Sequence, residues 1–317
     1  MRSIRFIPVL RRLAPGAAVV LLFALAARGL WRDGMAFSAP TFYALPLPLH
    51  VAGWLALAAL WWRPARLRSF LGLALATFCG GYWWFNTASL RREIAAQSPA
   101  PGPVVLFWNI GHTHEVPARI HELILEHEPD AAAFAEAENL GEAGRTELLA
   151  RHAGHDVISV PGGMVCMVKG RATLQSHRAL PQRSWVVMVE AAFTRLPGQV
   201  WHLCLADVGP LPPLPRLPIL TEIFTTTRNQ PRTIVAGDFN TPLDAMAFDE
   251  WRGAFYHAHA DCPAWRGPLE TWAFGLPVLA IDHLWLSQDL VPLRAAKGSR
   301  FGMDHSWILT ECGIRER

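Results

Sequence analysis

Charge is scarce in this sequence. Asp, Glu, Lys and Arg make up 17% of its 317 residues, and the formal net charge is only +3. No block rich in Lys and Arg occurs in the second half, so composition makes no independent case for a nucleic-acid partner. Paired cysteine motifs are missing too. The five cysteines, Cys79, Cys166, Cys204, Cys262 and Cys312, show no Cys-x-x-Cys spacing, which excludes the usual zinc patterns. Cys79 falls in an apolar stretch, and Cys166 and Cys204 fall in strand-like runs, where a thiol serves as a small core residue. A disulfide between Cys262 and Cys312 stays open for an oxidising compartment. No internal repeat is visible in the part of the chain after residue 103.

What the chain has in excess is hydrocarbon. A hydrophobic fraction of 51% is high for a soluble protein, and the excess sits in the first 90 residues. Three uncharged stretches, Leu13 to Ala27, Pro40 to Trp62 and Ser69 to Phe85, read as three transmembrane helices forming an anchor over residues 1–90. Trp61, Trp62, Trp83 and Trp84 stand at segment ends, where an aromatic belt belongs. A cleaved signal peptide is the competing reading of the first stretch, since Arg11 and Arg12 precede it and Ala24, Ala26 and Ala27 end it. The arginines at 2, 5, 11, 12, 63, 66 and 68 are cytoplasmic in the three-span arrangement. Both readings then put the rest of the chain on the extracytoplasmic side of the cytoplasmic membrane. Only Arg91 and Arg92 argue weakly the other way.

Residues 91–103 end in a Pro-rich tract and read as a linker, followed by a globular domain over 104–317. Buried strands are predicted at 104–108, 131–135, 156–160, 163–168, 185–193, 200–205, 233–236, 281–287 and 307–310. Helices are predicted from Pro117 to the stop at Pro129, and near 142–151, 217–228 and 243–251. Many strands with few helices favour two packed sheets covered by helices over one doubly wound sheet.

Several oxygen-bearing side chains sit at the ends of those apolar runs. They are Asn109 in VVLFWNIG, Glu136 in PDAAAFAE, Asp238 and Asn240 in VAGDFN, Asp282 in AIDHLWLS, and Asp304 with His305 in FGMDHSW. Alternation along a strand sends Asp238 and Asn240 to one side. Hard oxygen donors gathered at one sheet rim have the composition of a divalent-metal phosphoesterase site. His112 and His114 follow the Asn109 strand and read as surface-loop residues, with a place bordering this set as the alternative, and Trp272 in TWAF is either a pocket wall or a core residue. The run Gly209 to Pro218 reads as a rigid connector.

The ordered set WNIG, PDAAAFAE, GDFNTP, TWAF, IDHLWLS and MDHSW resembles the endonuclease/exonuclease/phosphatase superfamily of DNase-like and inositol-phosphatase-like hydrolases. The resemblance spans residues 104–311, and the leading apolar segments resemble its membrane-anchored bacterial branch. It implies an α/β fold, a four-layer αββα sandwich. It implies Mg²⁺, with Mn²⁺ as an alternative, held by Glu136, Asn109, Asp304 and Asp238. Asp238 would be the base for the attacking water and Asn240 its phosphate-binding neighbour. His305 would be the catalytic imidazole, oriented by Asp282. Two positions depart from the family pattern. Asp207 stands where relatives carry a phosphate-binding histidine, leaving open a second metal, an orienting contact to His202, or a turn residue. Met303 replaces the usual Ser before Asp-His.

Chemistry and placement together imply a metal-dependent hydrolase tethered to the membrane, a phosphodiesterase or phosphatase. The expected substrate is a lipid-linked or membrane-associated phosphate ester, and the expected partner is the bilayer. Nucleic acid is not favoured, because a nuclease needs a basic groove. An extracytoplasmic nuclease and a non-catalytic binding protein that keeps the fold are the alternatives.

Overall fold

The computed structural model describes residues 6–92, 99–111, 116–210, 216–273, 275–276, 278–299 and 302–315. They fall into two units. The first comprises the chain up to Leu90 together with Asp244–Met246, and the second starts at Arg91 and takes the remainder.

The first unit is helical. α1 (Phe6–Leu30) is followed by a short α2 (Ala39–Ala44), α3 (Leu47–Trp61) and α4 (Arg66–Ser89). Ala14 and Leu21 of α1 share a cluster with Trp54, Leu57 and Trp61 of α3 and Ala76 and Cys79 of α4. Gly72 of α4 lets the α3 and α4 backbones approach, since a Cβ there would lie 3.1 Å from that of Ala58. Among the described residues only α1 is long and apolar enough to cross a membrane. This corrects the expectation of three spans. At about 1.5 Å per residue, the 15 residues of α3 reach roughly 22 Å, short of a core about 30 Å thick. The second apolar stretch is broken ahead of α3, where α2 ends at Leu45 and Pro46. α4 has the length, but Arg66, Arg68, three glycines, Tyr82 and Asn86 dilute its apolar character. α1, near the N-terminus, has the length and composition shared by membrane anchors and signal sequences.

In the second unit strands and helices follow in the order β1 (Ala100–Asn109), α5 (Val116–His127), β2 (Ala131–Ala135), α6 (Gly141–Arg151), β3 (His155–Val160), β4 (Met164–Leu180), β5 (Ser184–Phe193) and β6 (Trp201–Asp207). There follow α7 (Leu217–Thr227), β7 (Thr233–Asp238), α8 (Phe248–Ala254), β8 (Phe255–His257), β9 (Asp282–Ser287), β10 (Leu290–Gly298) and β11 (Trp307–Ile314). The strands pair in the order β10-β11-β1-β2-β4-β5-β6-β7-β9-β8, with β3 on β4. This continuous path is folded into two layers along β4. Residues 164–169 of β4 pair with β2 and β3, whereas Gly170 to Leu180 pair with β5. Gly170 makes the corner at φ +138°, and a Cβ there would meet the Ala192 carbonyl at 2.1 Å.

Alternation along the strands explains the layering. Val105 and Phe107, Ala131, Ala133 and Ala135, and Cys166 and Val168 from one sheet face Val187, Val189, Leu203, Leu205, Ile234, Ala236, Leu284 and Leu286 from the other. The opposite parity of the first sheet, Leu106, Trp108 and Phe134, packs on Ile120, Leu123 and Ile124 of α5 and Leu148 of α6. On the far side of the second sheet, Phe224 of α7 and Phe248 and Trp251 of α8 interlock with Phe239 and Trp285 at ring separations of 5.2–5.7 Å. The result is helix, sheet, sheet, helix.

Arg91 and Arg92, which the sequence places in the linker, belong to the second unit. Arg91 donates to the carbonyls of Trp265 at 2.8 Å and Gly267 at 2.7 Å. Arg92 pairs with the buried carboxylate of Asp261, donates to the Arg252 and Phe255 carbonyls, and lies 4.9 Å over the Tyr256 ring. Residues 93–98 of that linker lie outside the described residues, as do His112, His114 and residues 211–215 of the Pro-rich run.

Candidate functional site

The same alternation that fills the sandwich with hydrocarbon places polar groups where the inward-facing rows run out. Asn109 follows Val105 and Phe107 on β1, and Asp238 follows Ile234 and Ala236 on β7. Asp282 opens the row of Leu284 and Leu286 on β9, and Asp207 ends the row of Leu203 and Leu205 on β6. Strand direction puts all four at one rim. β1 and β2 run parallel, as do β6 and β7, and β9 enters antiparallel to β7. Register then sets Asp207, Asp238 and Asp282 side by side across three neighbouring strands.

Asn109 ties the two layers together at this rim. Its Nδ2 donates to Asp238 Oδ2 at 2.9 Å and to Glu136 Oε1 at 3.1 Å, and its Oδ1 accepts the Gly111 amide at 2.9 Å. Glu136, partly exposed just past β2, has φ +53°, an unusual backbone for a residue that is not glycine. Gly111 has φ +59°, and a Cβ on it would lie 3.1 Å from Asp304 Oδ1. Asp304 therefore stands against the turn that follows Asn109.

His305 completes the group. Its Nδ1 lies 2.9 Å from Asp282 Oδ2 and 3.1 Å from Oδ1, and its Nε2 faces Asp238 Oδ2 at 3.9 Å. Burial by itself would lower the proton affinity of this ring. The charge and hydrogen bond of Asp282, with smaller contributions from Asp238 and Asp304, outweigh it and raise the pKa to about 10. The imidazole is accordingly a cation at neutral pH. Burial also pushes Asp238 well above the usual carboxylate range, helped by the charge of Asp282 and opposed by His305. Asp238, Asp282 and His305 present ligand atoms within 4.8 Å of one another. A metal ion on all three would have to displace the proton that Asp282 stabilises on His305. The donor set on the Asn109 side suits a hard divalent cation better: the Glu136 carboxylate, the Asn109 amide oxygen and the Asp304 carboxylate are oxygen atoms, and Glu136 and Asp304 are open to solvent.

The loops around the rim are held by contacts that the sequence does not advertise. Thr271 Oγ1 accepts the amides of Ile281 at 3.2 Å and Asp282 at 3.1 Å, while its carbonyl accepts the Ser306 amide at 2.8 Å. One residue thus fixes both sides of the Asp282–His305 pair. Its only sequence signal is its place ahead of Trp272 in the TWAF segment. Trp272, half buried, forms backbone bridges to Leu279 and His305, and Trp108 Nε1 donates to the His305 carbonyl at 3.2 Å. Asn240 sits at φ +46°. Its amide N–H caps Asp238 Oδ1 at 2.8 Å, and its Nδ2 donates to the Val208 carbonyl at 2.8 Å, which joins the loops after β6 and β7.

The structure brings Asn109, Glu136, Asp238, Asp282 and His305 into one string, hydrogen-bonded except between Asp238 and His305, which face each other at 3.9 Å, with Asp304 and Asn240 beside it. Asp207 is a cross-strand neighbour of Asp238 and raises its proton affinity. It is no orienter of His202, which lies five residues earlier on the same strand, about 16 Å away at the usual rise. Met303 is 4% exposed and packs in the cluster of Trp108 and Trp307, so the hydroxyl of the family pattern gives way to core filling. All five cysteines are unpaired thiols, Cys262 and Cys312 among them.

Comparison with known proteins gives the same picture. No curated protein matches the chain in sequence. Among solved structures, a humanized D. rerio TDP2 carrying 14 mutations superposes with a TM-score of 0.54 at 16% identity, over 67% of this chain and 98% of that one. The human Nocturnin catalytic domain with bound sulfate gives 0.52 at 16% identity, over 72% and 98%. A mannosyl-6-phosphatase from Bacteroides thetaiotaomicron gives 0.51 at 13% identity, over 67% and 100%. At such identities these likenesses speak to the fold alone. The model of the Endonuclease/Exonuclease/phosphatase family matches residues 106–305, which contain every residue of the string described above, and the chain belongs to that family.

Proposed function

We propose that this protein is a Mg²⁺-dependent phosphoesterase, with Mn²⁺ able to substitute, that cleaves a phosphate ester presented at a membrane. Members of the family are in general hydrolases of phosphate esters that use divalent metal ions. The observation that carries the reading is the geometry of the rim, where His305, held by Asp282, faces the buried Asp238 carboxylate and Asn109 joins that carboxylate to Glu136.

Glu136, Asn109 and Asp304 would hold the metal, with Asp238 adjoining it. When bound, the ion would draw charge from a phosphoryl oxygen and orient the phosphorus. The chain's own groups supply the rest. Asp238 takes a proton from the attacking water; burial raises its proton affinity, which strengthens it as a base. His305 donates from Nε2 to the phosphoryl oxygens as negative charge builds, and Asp282 holds the ring in the required orientation. Asn240 positions the Asp238 carboxylate through its backbone N–H.

The membrane part of the proposal rests on α1. An anchor or a signal sequence preceded by arginines delivers the following chain across the cytoplasmic membrane, so the catalytic unit would face outward. The lack of a Lys/Arg-rich block in the second half argues for a lipid-linked phosphate over a polynucleotide.

The test uses the full chain in detergent with Mg²⁺ or Mn²⁺, assayed on lipid phosphates and on plasmid DNA. Hydrolysis of a lipid phosphate that disappears in Glu136→Ala and His305→Ala is expected. Robust DNA cleavage without lipid phosphate turnover would sink the substrate assignment, and metal-independent turnover would sink the mechanism. An inactive alkaline phosphatase fused after residue 100 would reverse the topology.

A further inference from the structure

We propose that His257 and His283 are positioning residues for this site: a pair of neutral imidazoles that pins the carbonyl of Thr241, and with it the turn carrying Asp238 and Asn240. The inference rests on the reading of Asp238 as the catalytic base.

The direction of each hydrogen bond follows from the donors available. His257 Nδ1 accepts the backbone amides of Ala260 at 3.0 Å and His259 at 3.3 Å, so that nitrogen carries no proton. The ring proton of a neutral His257 is therefore on Nε2, which lies 3.1 Å from His283 Nδ1. That atom must accept. His283 in turn carries its proton on Nε2, 2.9 Å from the Thr241 carbonyl. A backbone amide thus sets a tautomer that is passed through two rings to the loop after β7. An extra proton on His283 would set two N–H groups head to head, and both rings are buried among Phe239, Phe248 and Trp285. Burial lowers the pKa of His283 to about 4, which keeps the pair neutral.

The placement follows from strand alternation. Asp282 and His283 are consecutive on β9, so Asp282 points to His305 on the site face while His283 points to Thr241 on the other. One strand end serves both the imidazole and the turn of the base. Asn240 Nδ2 on the Val208 carbonyl and the Phe239 amide on the Ile281 carbonyl hold the start of the turn, whereas its Thr241 end meets His283 while Asn240 keeps a φ of +46°. The acceptor geometry of Asp238 depends on this turn through the Asn240 amide.

The test compares His283→Leu with His283→Gln in the full chain, using bis(p-nitrophenyl) phosphate and Mg²⁺, with Glu136→Ala as control. Glutamine keeps an N–H donor near the position of Nε2, and leucine does not. In His283→Leu, kcat should fall about tenfold or more with little change in KM, because a displaced base costs rate rather than binding. His283→Gln should recover most of it. Amide exchange at Asn240 should quicken in the leucine variant alone, a readout independent of activity. A folded leucine variant with wild-type kcat and wild-type exchange would overturn the proposal. If the wild type shows no hydrolysis sensitive to Glu136→Ala, the functional reading fails instead, and exchange still judges the relay. Long-range ¹⁵N–¹H correlation on the wild type covers variants that do not fold: at about pH 7 both rings should be Nε2–H tautomers, and an Nδ1–H or doubly protonated ring at either position would refute the chain of donors.

Discussion

A buried imidazole ordinarily gives up its proton, because leaving water penalises the cation more than the neutral ring. At His305 the neighbouring carboxylates reverse this, and the proton stays bound up to a pH of about 10. The stabilising contribution of this pair is complete below the unfolded value near 6.5 and is lost as pH rises through about 10. Replacing Asp282 by Asn removes the charge that holds the proton. The alkaline limb of the pH–rate profile should move to lower pH, and kcat should drop by about 10²-fold or more at pH near 8. An alkaline limb that stays in place would show that another group holds the proton. Asn109, Asp238 and Asp282 are readable in the sequence because each ends or begins a short apolar run that reads as a buried strand. Thr271 was not: its work is done by one hydroxyl and one carbonyl on backbone amides, and no spacing marks such a role. Asp207 was readable as an anomaly, and register places it beside Asp238.

Among the elements, β4 does the most to define the architecture. The sequence predicts a strand only over 163–168, whereas β4 continues to Leu180 because its second half, largely exposed, draws its order from pairing with β5 rather than from burial. No apolar pattern announces such a segment. β8 and β10 escape prediction for related reasons. β8 has three residues, and β10 carries Pro292, Arg294 and Lys297 at the edge of its sheet, where an unpaired N–H makes proline tolerable. The all-buried runs β2 and β7 were plain. Gly170→Val tests the corner. With φ at +138° and a carbonyl 2.1 Å from the Cβ position, the substitution should destabilise the second unit by about 3 kcal/mol or more in urea unfolding. An unchanged midpoint would mean that the bend survives without glycine.

For the molecule as a whole, composition announced an apolar leader but overstated its spans, because windowed hydrophobicity does not see where a helix breaks or which turn carries arginine. The histidines buried behind the second sheet set the acid limit of stability. Burial lowers His259 and His283 to about 4 and lowers His257 well below its ordinary value as well. Folded-state values below the unfolded 6.5 mean that this stability is intact above pH 6.5 and is lost as pH falls toward 4, when the unfolded chain binds protons that the native state refuses. The loss is on the order of 3 kcal/mol for each of His259 and His283. Urea midpoints measured between neutrality and pH near 4.5 should fall steeply, and a flat profile would place these rings in contact with water.

The corner in β4 also bears on how the chain finds its fold. Because one strand is shared by both layers, β3, β4, β5 and β6 form an unbroken meander of short hairpins, and whichever layer forms first already holds the template strand of the other. The pairing of β1 with β11, by contrast, joins Val104 to Glu311 and must close a loop of about 200 residues. Pulse-labelled exchange during refolding should therefore protect the meander first and β11 late; early protection of β11 would contradict this order. Asn109 ends the strand that β11 flanks, so the rim proposed to carry the chemistry would be completed late, once β11 has docked on β1.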